Sequence, residues 1–247
     1  MRRPSLPVNK AHPLQLIVFD CDGTLVDSQH MICAAMENAY AANGLPLPPR
    51  ERLLSIVGLS LAESFIDLSE GDPRFPVANM VESYKAAFFE LRGAGSDMEP
   101  LYPGAQRCIE MLGAQDHTLL GIATGKSQRG VRRVLQHHGL LHLFTTIQTA
   151  DDAPSKPHPG MVERAMSEAG ATPVETVVVG DTRFDMAMAR SAGARAIGVS
   201  WGYHAVDTLE AAGAEAVIHD FAALTPLLER WRKEKELTSS HIRHARA

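Results

Sequence analysis

The sequence predicts an α/β fold, with a Rossmann-like parallel-sheet core and an inserted helical cap domain. Two observations lead to this prediction. Short apolar runs alternate along most of the chain with segments of helical periodicity, a pattern typical of a parallel sheet covered by helices on both faces. One long gap, between Phe19 and Leu119, interrupts the alternation and contains only helix-like patterns.

The predicted strands are short runs that are in several cases apolar almost throughout, as expected for strands buried on both faces. They cover residues 14–19, 119–123, 145–148, 177–179, 196–199 and 216–218. The helix-like segments between them cover residues 106–112, 127–138, 161–168 and 184–192. In this architecture the functional site forms at the carboxyl ends of the strands.

The long gap predicts a second domain, because a crossover between parallel strands needs only about a dozen or more residues. Helical patterns inside it cover residues 31–42, 61–68 and 79–92. We therefore predict a core of residues 1–28 and 99–235, a helical cap domain of residues 29–98 and a charged C-terminal tail of residues 236–247. The hinges are expected near Ser28 and within residues 99–104.

Composition excludes several classes of protein. The formal net charge is −5, so no overall positive field attracts nucleic acid or an anionic membrane. The sequence has 3 cysteines, and no two of them form a C-x-x-C pair, which argues against a disulfide framework or a cysteine zinc site. No run approaches the ~18 apolar residues of a membrane span, and Pro4 and Pro7 interrupt the segment where a signal peptide would be apolar. We expect a cytoplasmic protein.

Polar clusters follow the predicted strands, and the first begins at Asp20. Asp20 and Asp22 are alternate residues at a strand end, so their side chains are expected to project to the same side. Gly23 permits a tight turn and leaves room for a ligand to approach. Taken alone, the pattern is equally compatible with an ordinary turn.

The second and third clusters carry hydroxyl and ammonium groups. Thr124, Gly125 and Lys126 precede a predicted helix, where a hydroxyl and free backbone N–H groups form an anion site. The alternative is that Thr124 or the following Ser127 only caps the helix. After the third strand, Pro157 restricts Lys156 to an extended conformation, which directs a point charge towards the site. A lone lysine is otherwise an ordinary surface residue.

The fourth cluster contains Asp181 and Asp185, which share one face at a helix start. Either acid alone is explained by the preference for negative charge at helix N-termini. All four clusters fall at one edge of the predicted sheet, however, and a carboxylate pair about 4 Å apart costs ~4 kcal/mol at an effective dielectric of about 20. The crowding of Asp20, Asp22, Asp181 and Asp185 therefore predicts an oxygen-ligated cation, and Mg²⁺ is the natural one.

These motifs resemble those of the haloacid dehalogenase superfamily, in its phosphatase branch. The first motif is Asp20-x-Asp22-Gly23-Thr24, the second is Thr124, the third is Lys156, and the fourth is Gly180-Asp181 with Asp185. The run Asp-Gly-Thr-Leu-Val-Asp-Ser and the run Lys-Pro-x-Pro are similar to those of the phosphoglycolate phosphatase group. The helical insertion after the first motif resembles the small cap of that branch.

The resemblance implies a Mg²⁺-dependent phosphatase that hydrolyses a small phosphomonoester, such as a phosphoglycolate-like ester, a sugar phosphate or a nucleotide. It implies an aspartyl-phosphate on Asp20, with Asp22 as general acid and then general base. Mg²⁺ would be bound by Asp20, Asp181 and the backbone carbonyl of Asp22, with Asp185 as a ligand or the partner of one. The implied phosphate-binding set is Cys21 through its backbone N–H, Asp22, Thr124, Gly125 and Lys156.

Three further sets of residues are assigned from pattern alone. Gly58 and Ser60 lie between two predicted cap helices and are candidates for substrate contact, although a plain helix–helix turn explains them equally well. The aromatic stretch that contains Tyr84, Phe88, Phe89 and Leu91 is expected in the cap core. The arginines Arg129, Arg132 and Arg133 are expected on a solvated helix face.

Alternatives remain at this point. Dehalogenases of the superfamily lack the second aspartate, and phosphonate hydrolases carry alanine at the position of Asp22. A sugar phosphomutase of the β-phosphoglucomutase kind shares all four motifs, although those enzymes usually carry a branched aliphatic residue at the position of Thr24. A non-catalytic regulatory protein on the same fold is a further alternative, but every motif residue is intact here.

Overall fold

The computed structural model describes residues 14–93 and 99–244 and contains a parallel sheet of six strands. The strands are β1 (Gln15–Phe19), β2 (Thr118–Thr124), β3 (Phe144–Thr149), β4 (Thr176–Gly180), β5 (Arg195–Val199) and β6 (Ala216–Ile218). Their order in the sheet is β3-β2-β1-β4-β5-β6, and every pairing is parallel. This confirms the predicted α/β class and each predicted strand, within a residue or two at the ends.

Ten helices surround or extend the sheet in the described part of the chain. Those between β1 and β2 are α1 (Gln29–Ala42), α2 (Arg50–Leu54), α3 (Leu61–Leu68), α4 (Val77–Gly93) and α5 (Ala105–Gly113). The others are α6 (Gln128–His137), α7 (Gly160–Ala169), α8 (Arg183–Ser191), α9 (Val206–Ala212) and α10 (Leu224–His244). No helix in the described residues is both long and apolar enough to cross a membrane.

The central strand β1 explains why the strand sequences are apolar throughout. Ile17 and Phe19 point into the core cluster on one face of the sheet, whereas Leu16 and Val18 point into the cluster on the other. All four side chains are 0% exposed. Burying a side chain of this size stabilises the fold by about 1.5–3 kcal/mol, so both faces of the strand contribute to stability.

Helices α1–α4 form a separate apolar cluster that includes Met36, Phe65 and Met80. The chain enters and leaves this helical unit through two adjacent segments. Asp27 donates its backbone N–H to Pro100 O at 2.8 Å, and Tyr102 donates to Leu25 O at 2.9 Å. The paired segments bring the helical unit over the carboxyl edge of the sheet.

Three helices are absent from the sequence prediction, namely α2, α9 and α10. Helices α2 and α9 are short, at 5 and 7 residues, so they present too few turns for periodicity to be recognised. Helix α10 continues to His244, so the predicted tail boundary at residue 235 falls inside a helix. Residues 1–13, 94–98 and 245–247, which belong to the predicted core, cap and tail, lie outside the described residues.

Candidate active site

The strand register brings the four polar clusters together. Phe19, the last residue of β1, pairs with Ile122 of β2 and with Val179 of β4. The residues that follow these positions therefore leave the sheet at the same edge, as expected for parallel strands. The side chains that meet there are Asp20, Asp22, Thr124, Lys156, Asp181 and Asp185, and each is at most 8% exposed.

Three carboxylates form the deepest part of the site. Asp20, Asp181 and Asp185 each offer an oxygen atom, and these atoms lie within 4.8 Å of one another. Among the described residues, the ammonium group beside them is that of Lys156, whose Nζ lies 2.8 Å from Asp20 Oδ1 and 2.6 Å from Asp185 Oδ1. One cation against three buried carboxylates leaves an excess of negative charge.

Asp20 shows this excess most clearly. Both of its carboxylate oxygens are buried, and apart from the ammonium of Lys156, 2.8 Å from Oδ1, no donor among the described residues reaches either of them. Burial raises the pKa of Asp20 to about 7, with Lys156 acting in the opposite direction and Asp185 raising it further. Three clustered carboxylates with one ammonium, and an Asp20 Oδ2 that no donor reaches among the described residues, fit a divalent metal with oxygen ligands.

Asp181 is held by contacts on both oxygens. Thr24 donates its hydroxyl to Oδ1 at 2.9 Å, and the backbone N–H of Tyr203 donates to Oδ2 at 2.9 Å. A Cβ atom on Gly23 or on Gly202 would collide with this carboxylate. Burial raises the pKa of Asp181, and the charges of nearby carboxylates add to that effect.

Asp185 is fully engaged within the protein. Its Oδ1 accepts from Lys156, and its Oδ2 accepts from the backbone N–H of Thr182 at 3.0 Å and from the Thr182 hydroxyl at 2.7 Å. The contact with the Thr182 N–H, together with the Asp185 N–H donated to Thr182 Oγ1 at 3.4 Å, forms the capping box of helix α8. Asp185 therefore both starts the helix and holds Lys156.

Asp22 lies further out and faces the cap. Its Oδ1 accepts from Ser28 Oγ at 2.5 Å and from Lys126 Nζ at 2.7 Å. Lys126 also contacts Glu99 Oε1 at 2.6 Å. Burial lowers the pKa of Lys126, but the charges of Asp22 and Glu99 outweigh it, so the pKa lies above its ordinary value and the group is an ammonium.

The loop after β2 is shaped for close approach. Thr124 Oγ1 accepts the backbone N–H of Lys126 at 3.2 Å, and a Cβ atom on Gly125 would collide with the backbone carbonyls of Gly58 and Leu59. Cys21 is 0% exposed. Burial raises the pKa of its thiol, and the charge of Asp22 raises it further, which favours the protonated thiol over the thiolate.

A cavity of about 500 Å³ lies between the core and the helical unit, with Asp20, Asp22 and Thr124 in its wall. Gly58 and Ser60, the candidates for substrate contact, also line it. The Ser60 hydroxyl, however, caps α3 by accepting from Glu63 N at 3.4 Å, and the Ser60 N–H donates to Ser155 Oγ at 2.8 Å. These contacts tie the loop of residues 57–60 to the core.

Two expectations about the cavity wall are corrected. Phe89 is not in the cap core but 64% exposed, and both Phe88 and Phe89 line the cavity. Successive residues on a helix point in different directions, so an aromatic stretch cannot all be buried. Arg129 and Arg133 lie on an exposed helix face as expected, but that face borders the cavity.

Sequence reasoning missed the roles of Lys126, Glu99 and Tyr203. Lys126 belongs to the second polar cluster, and an acid and a base at neighbouring strand ends are a signal for the ion pair that its side chain makes with Asp22. Glu99 and Tyr203 carry no local signal, because their contacts with Lys126 and Asp181 depend on how distant segments meet.

Comparison with known proteins agrees with this geometry. The family model for haloacid dehalogenase-like hydrolases matches residues 17–199. The chain belongs to this family. A similar curated relative of this hydrolase is a probable phosphatase, IndB, of Dickeya dadantii, which is 36% identical over 84% of this chain and 90% of its own length.

Other relatives of this haloacid dehalogenase-like hydrolase carry more specific names. A phosphoglycolate phosphatase of Pasteurella multocida is 28% identical over 87% of this chain and 98% of its own. The pyrophosphatase PpaX of Bacillus mycoides is 29% identical over 88% of this chain and 98% of its own length. The crystal structure of a hydrolase from Pseudomonas syringae is 28% identical, with a TM-score of 0.77 over 88% of this chain and 99% of that chain.

Proposed function

We propose that this hydrolase is a Mg²⁺-dependent phosphatase that cleaves a small phosphomonoester through an aspartyl-phosphate on Asp20. The observation that carries the proposal is the environment of Asp20. Its carboxylate is buried at the wall of a cavity, its Oδ1 lies 2.8 Å from the ammonium of Lys156, and no other donor among the described residues reaches it. A nucleophile with this arrangement has free lone pairs and a cation that restrains its charge.

The metal site would consist of the Asp20 and Asp181 carboxylates and the backbone carbonyl of Asp22. Asp185 lies in the same group of carboxylates and would be a ligand or the partner of one, while its Oδ1 also holds Lys156. When bound, Mg²⁺ would neutralise the charge shared between Asp20 and the incoming phosphoryl group.

In the first step, an oxygen of Asp20 bonds to phosphorus while the bond from phosphorus to the leaving oxygen breaks. Thr124 and Lys156 hold the phosphoryl oxygens, with help from the backbone N–H groups of Cys21 and Gly125. Asp22 gives its proton to the leaving alkoxide. Positioning and charge neutralisation supply most of the rate enhancement in transfers of this kind.

In the second step, Asp22 accepts a proton from a water molecule that attacks the phosphorus of the aspartyl-phosphate. The bond between phosphorus and the Asp20 oxygen breaks, so the carboxylate is regenerated and inorganic phosphate leaves. The same side chain thus acts as acid and then as base, which requires it to remain in one position through both steps.

The cavity supports a leaving group larger than the phosphoryl group alone. Its volume of about 500 Å³ lies within the range of about 300–1,000 Å³ typical of small-molecule sites. The wall combines aromatic side chains, Tyr84 and Phe88, with cationic ones such as Arg129 and Arg133. A small phosphorylated metabolite, whether phosphoglycolate-like, a sugar phosphate or a nucleotide, suits such a wall.

The test is phosphate release from a panel of phosphomonoesters with Mg²⁺, with Asp20→Asn run in parallel. Release by the parent protein and not by Asp20→Asn supports the proposal, and the preferred ester names the substrate class. Release by Asp20→Asn at more than a few per cent of the parent rate would remove Asp20 as nucleophile. No release from any ester, together with isomerisation of a sugar phosphate, would favour the mutase instead.

A further inference from the structure

Lys126 occupies an unusual position at the boundary between the core and the cap. Its side chain is 8% exposed, and its Nζ lies 2.7 Å from Asp22 Oδ1 and 2.6 Å from Glu99 Oε1. The two carboxylates thus share one buried ammonium. Burying these charged groups costs desolvation free energy, and a buried ion pair restricts the positions of its members more than an exposed surface pair does.

Glu99 is itself held from two sides. Its Oε2 contacts Arg92 Nη2 at 2.7 Å, and Arg92 belongs to helix α4 of the cap. Its backbone carbonyl contacts His138 Nε2 of the core at 3.0 Å. Asp22, Lys126, Glu99 and Arg92 therefore form a chain of alternating charge that runs from the catalytic edge of the core to the cap.

The two carboxylate oxygens of Asp22 differ in the hydrogen bonds that they accept. Ser28 and Lys126 both donate to Oδ1. Among the described residues no hydrogen bond reaches Oδ2, and Asp22 lines the cavity. Two donors on one oxygen fix the rotation of the carboxyl group and leave the other oxygen available for a proton.

We propose that Lys126, anchored by Glu99, is a positioning residue that orients Asp22 for proton transfer to the leaving group. This inference rests on the proposed phosphatase function. Lys126 also lines the cavity, so a direct contact with the substrate is the alternative that the test must separate from a role through Asp22. If Lys126 acts through Asp22, the effect of losing it should depend on how much the leaving group needs a proton.

Leaving groups provide the test, because general acid catalysis contributes about 10²–10⁴-fold when the departing oxygen must be protonated. An alkyl phosphate leaves as a strongly basic alkoxide, whereas p-nitrophenyl phosphate leaves as a stable phenolate that needs little help. We expect Lys126→Met to lower kcat/KM for the alkyl phosphate at least about tenfold more than kcat/KM for p-nitrophenyl phosphate, because kcat/KM reports formation of the aspartyl-phosphate and not the later hydrolysis that both esters share. Asp22→Asn should show the same difference between the two esters, and the size of that difference is the upper limit for the effect of Lys126→Met.

Two further variants separate positioning from general damage. Glu99→Gln keeps Lys126 but removes the negative charge that anchors it, so we expect a smaller difference between the two esters in the same direction. This variant replaces Lys126→Met in the test if Lys126→Met does not fold. Lys233→Met makes the same chemical change at an exposed position on α10 and should leave both rates unchanged.

Equal losses on the two esters in Lys126→Met and Glu99→Gln would overturn the inference and make Lys126 a structural tie. A rise in KM with unchanged kcat would overturn it too, and would make Lys126 a ligand of the substrate. A parent protein inactive on both esters would overturn the proposed function and this inference with it. An active parent with equal losses in the variants would overturn this inference alone.

Discussion

Lys156 donates a hydrogen bond to Asp185, with 2.6 Å between Nζ and Oδ1, and the same ammonium lies 2.8 Å from Asp20 Oδ1. Asp185 also accepts two hydrogen bonds from Thr182 at the start of helix α8. The residue that caps a helix therefore also fixes the cation beside the proposed nucleophile. Substitutions of Asp185 can separate its two roles, which are to cap α8 and to hold Lys156.

Asp185→Asn keeps an oxygen acceptor for Thr182 but weakens the anchor of Lys156. We expect kcat to fall by on the order of tenfold to a hundredfold, while the melting temperature changes little. Asp185→Ala removes the cap as well and should cost about 1 kcal/mol more in stability. Steady-state kinetics and thermal unfolding of the two variants check this. An Asn variant with parental kcat would show that Lys156 needs no such anchor.

Lys156→Met should lower kcat by about 10²–10³-fold, as expected when a charge that stabilises the transition state is lost. The variant should also be less stable, because Asp20 and Asp185 then lie close together without a cation. Mg²⁺ should recover part of that stability. A loss of activity below tenfold would remove Lys156 from the phosphoryl-binding set, and exposed Lys233 again supplies the matched control.

The stabilisation of the folded protein by Mg²⁺ should change with pH in a direction that the pKa of Asp20 determines. Because burial raises the pKa of Asp20 from 3.8 to about 7, the folded metal-free protein keeps a proton that the unfolded chain has lost, and this group's contribution to stability falls as pH rises through that window. Protons compete with the metal below about pH 7, so the stabilisation by Mg²⁺ should be larger at pH 8 than at pH 5. Thermal unfolding with Mg²⁺ and with EDTA at both pH values measures this.

At a hundredfold excess over its Kd, a ligand stabilises the folded state by about 2.7 kcal/mol. For a chain of this size that corresponds to a rise in Tm of about 5–10 °C. Asp181→Asn should lose most of this rise. EDTA should also abolish activity, and Ca²⁺ should restore it poorly, because Ca²⁺ prefers a larger and looser ligand set. Activity that survives chelation would contradict the metal assignment.

Gly125→Ala tests the contact between the core and the cap loop. The added Cβ would collide with the backbone carbonyls of Gly58 and Leu59, so the loop of residues 57–60 must move away from the core. We expect KM to rise several-fold through the altered cavity wall. Gly93→Ala is the matched control, since its Cβ would meet no atom within 4 Å. Equal KM values in the two variants would show that the loop does not contribute to binding.

Most of the site could be predicted from the sequence because its members end consecutive parallel strands. Asp20, Thr124 and Asp181 each follow an apolar run, and parallel register brings such positions to one edge whatever the details of packing. Lys156 was predicted less securely, since a lysine after a strand is as often solvated. Its position between Asp20 and Asp185 depends on the loop after β3, which no local pattern describes.

By itself, the sequence determined the α/β class, the inserted helical segment and the four motifs, because periodicity and residue type are local properties of the chain. The tertiary structure alone decided which oxygens of the carboxylates remain free, which aromatic residues face the cavity, and that Lys126 joins Asp22 to Glu99. These are contacts between segments distant in sequence. Their geometry follows from how the cap packs against the core, and no local pattern of residues encodes it.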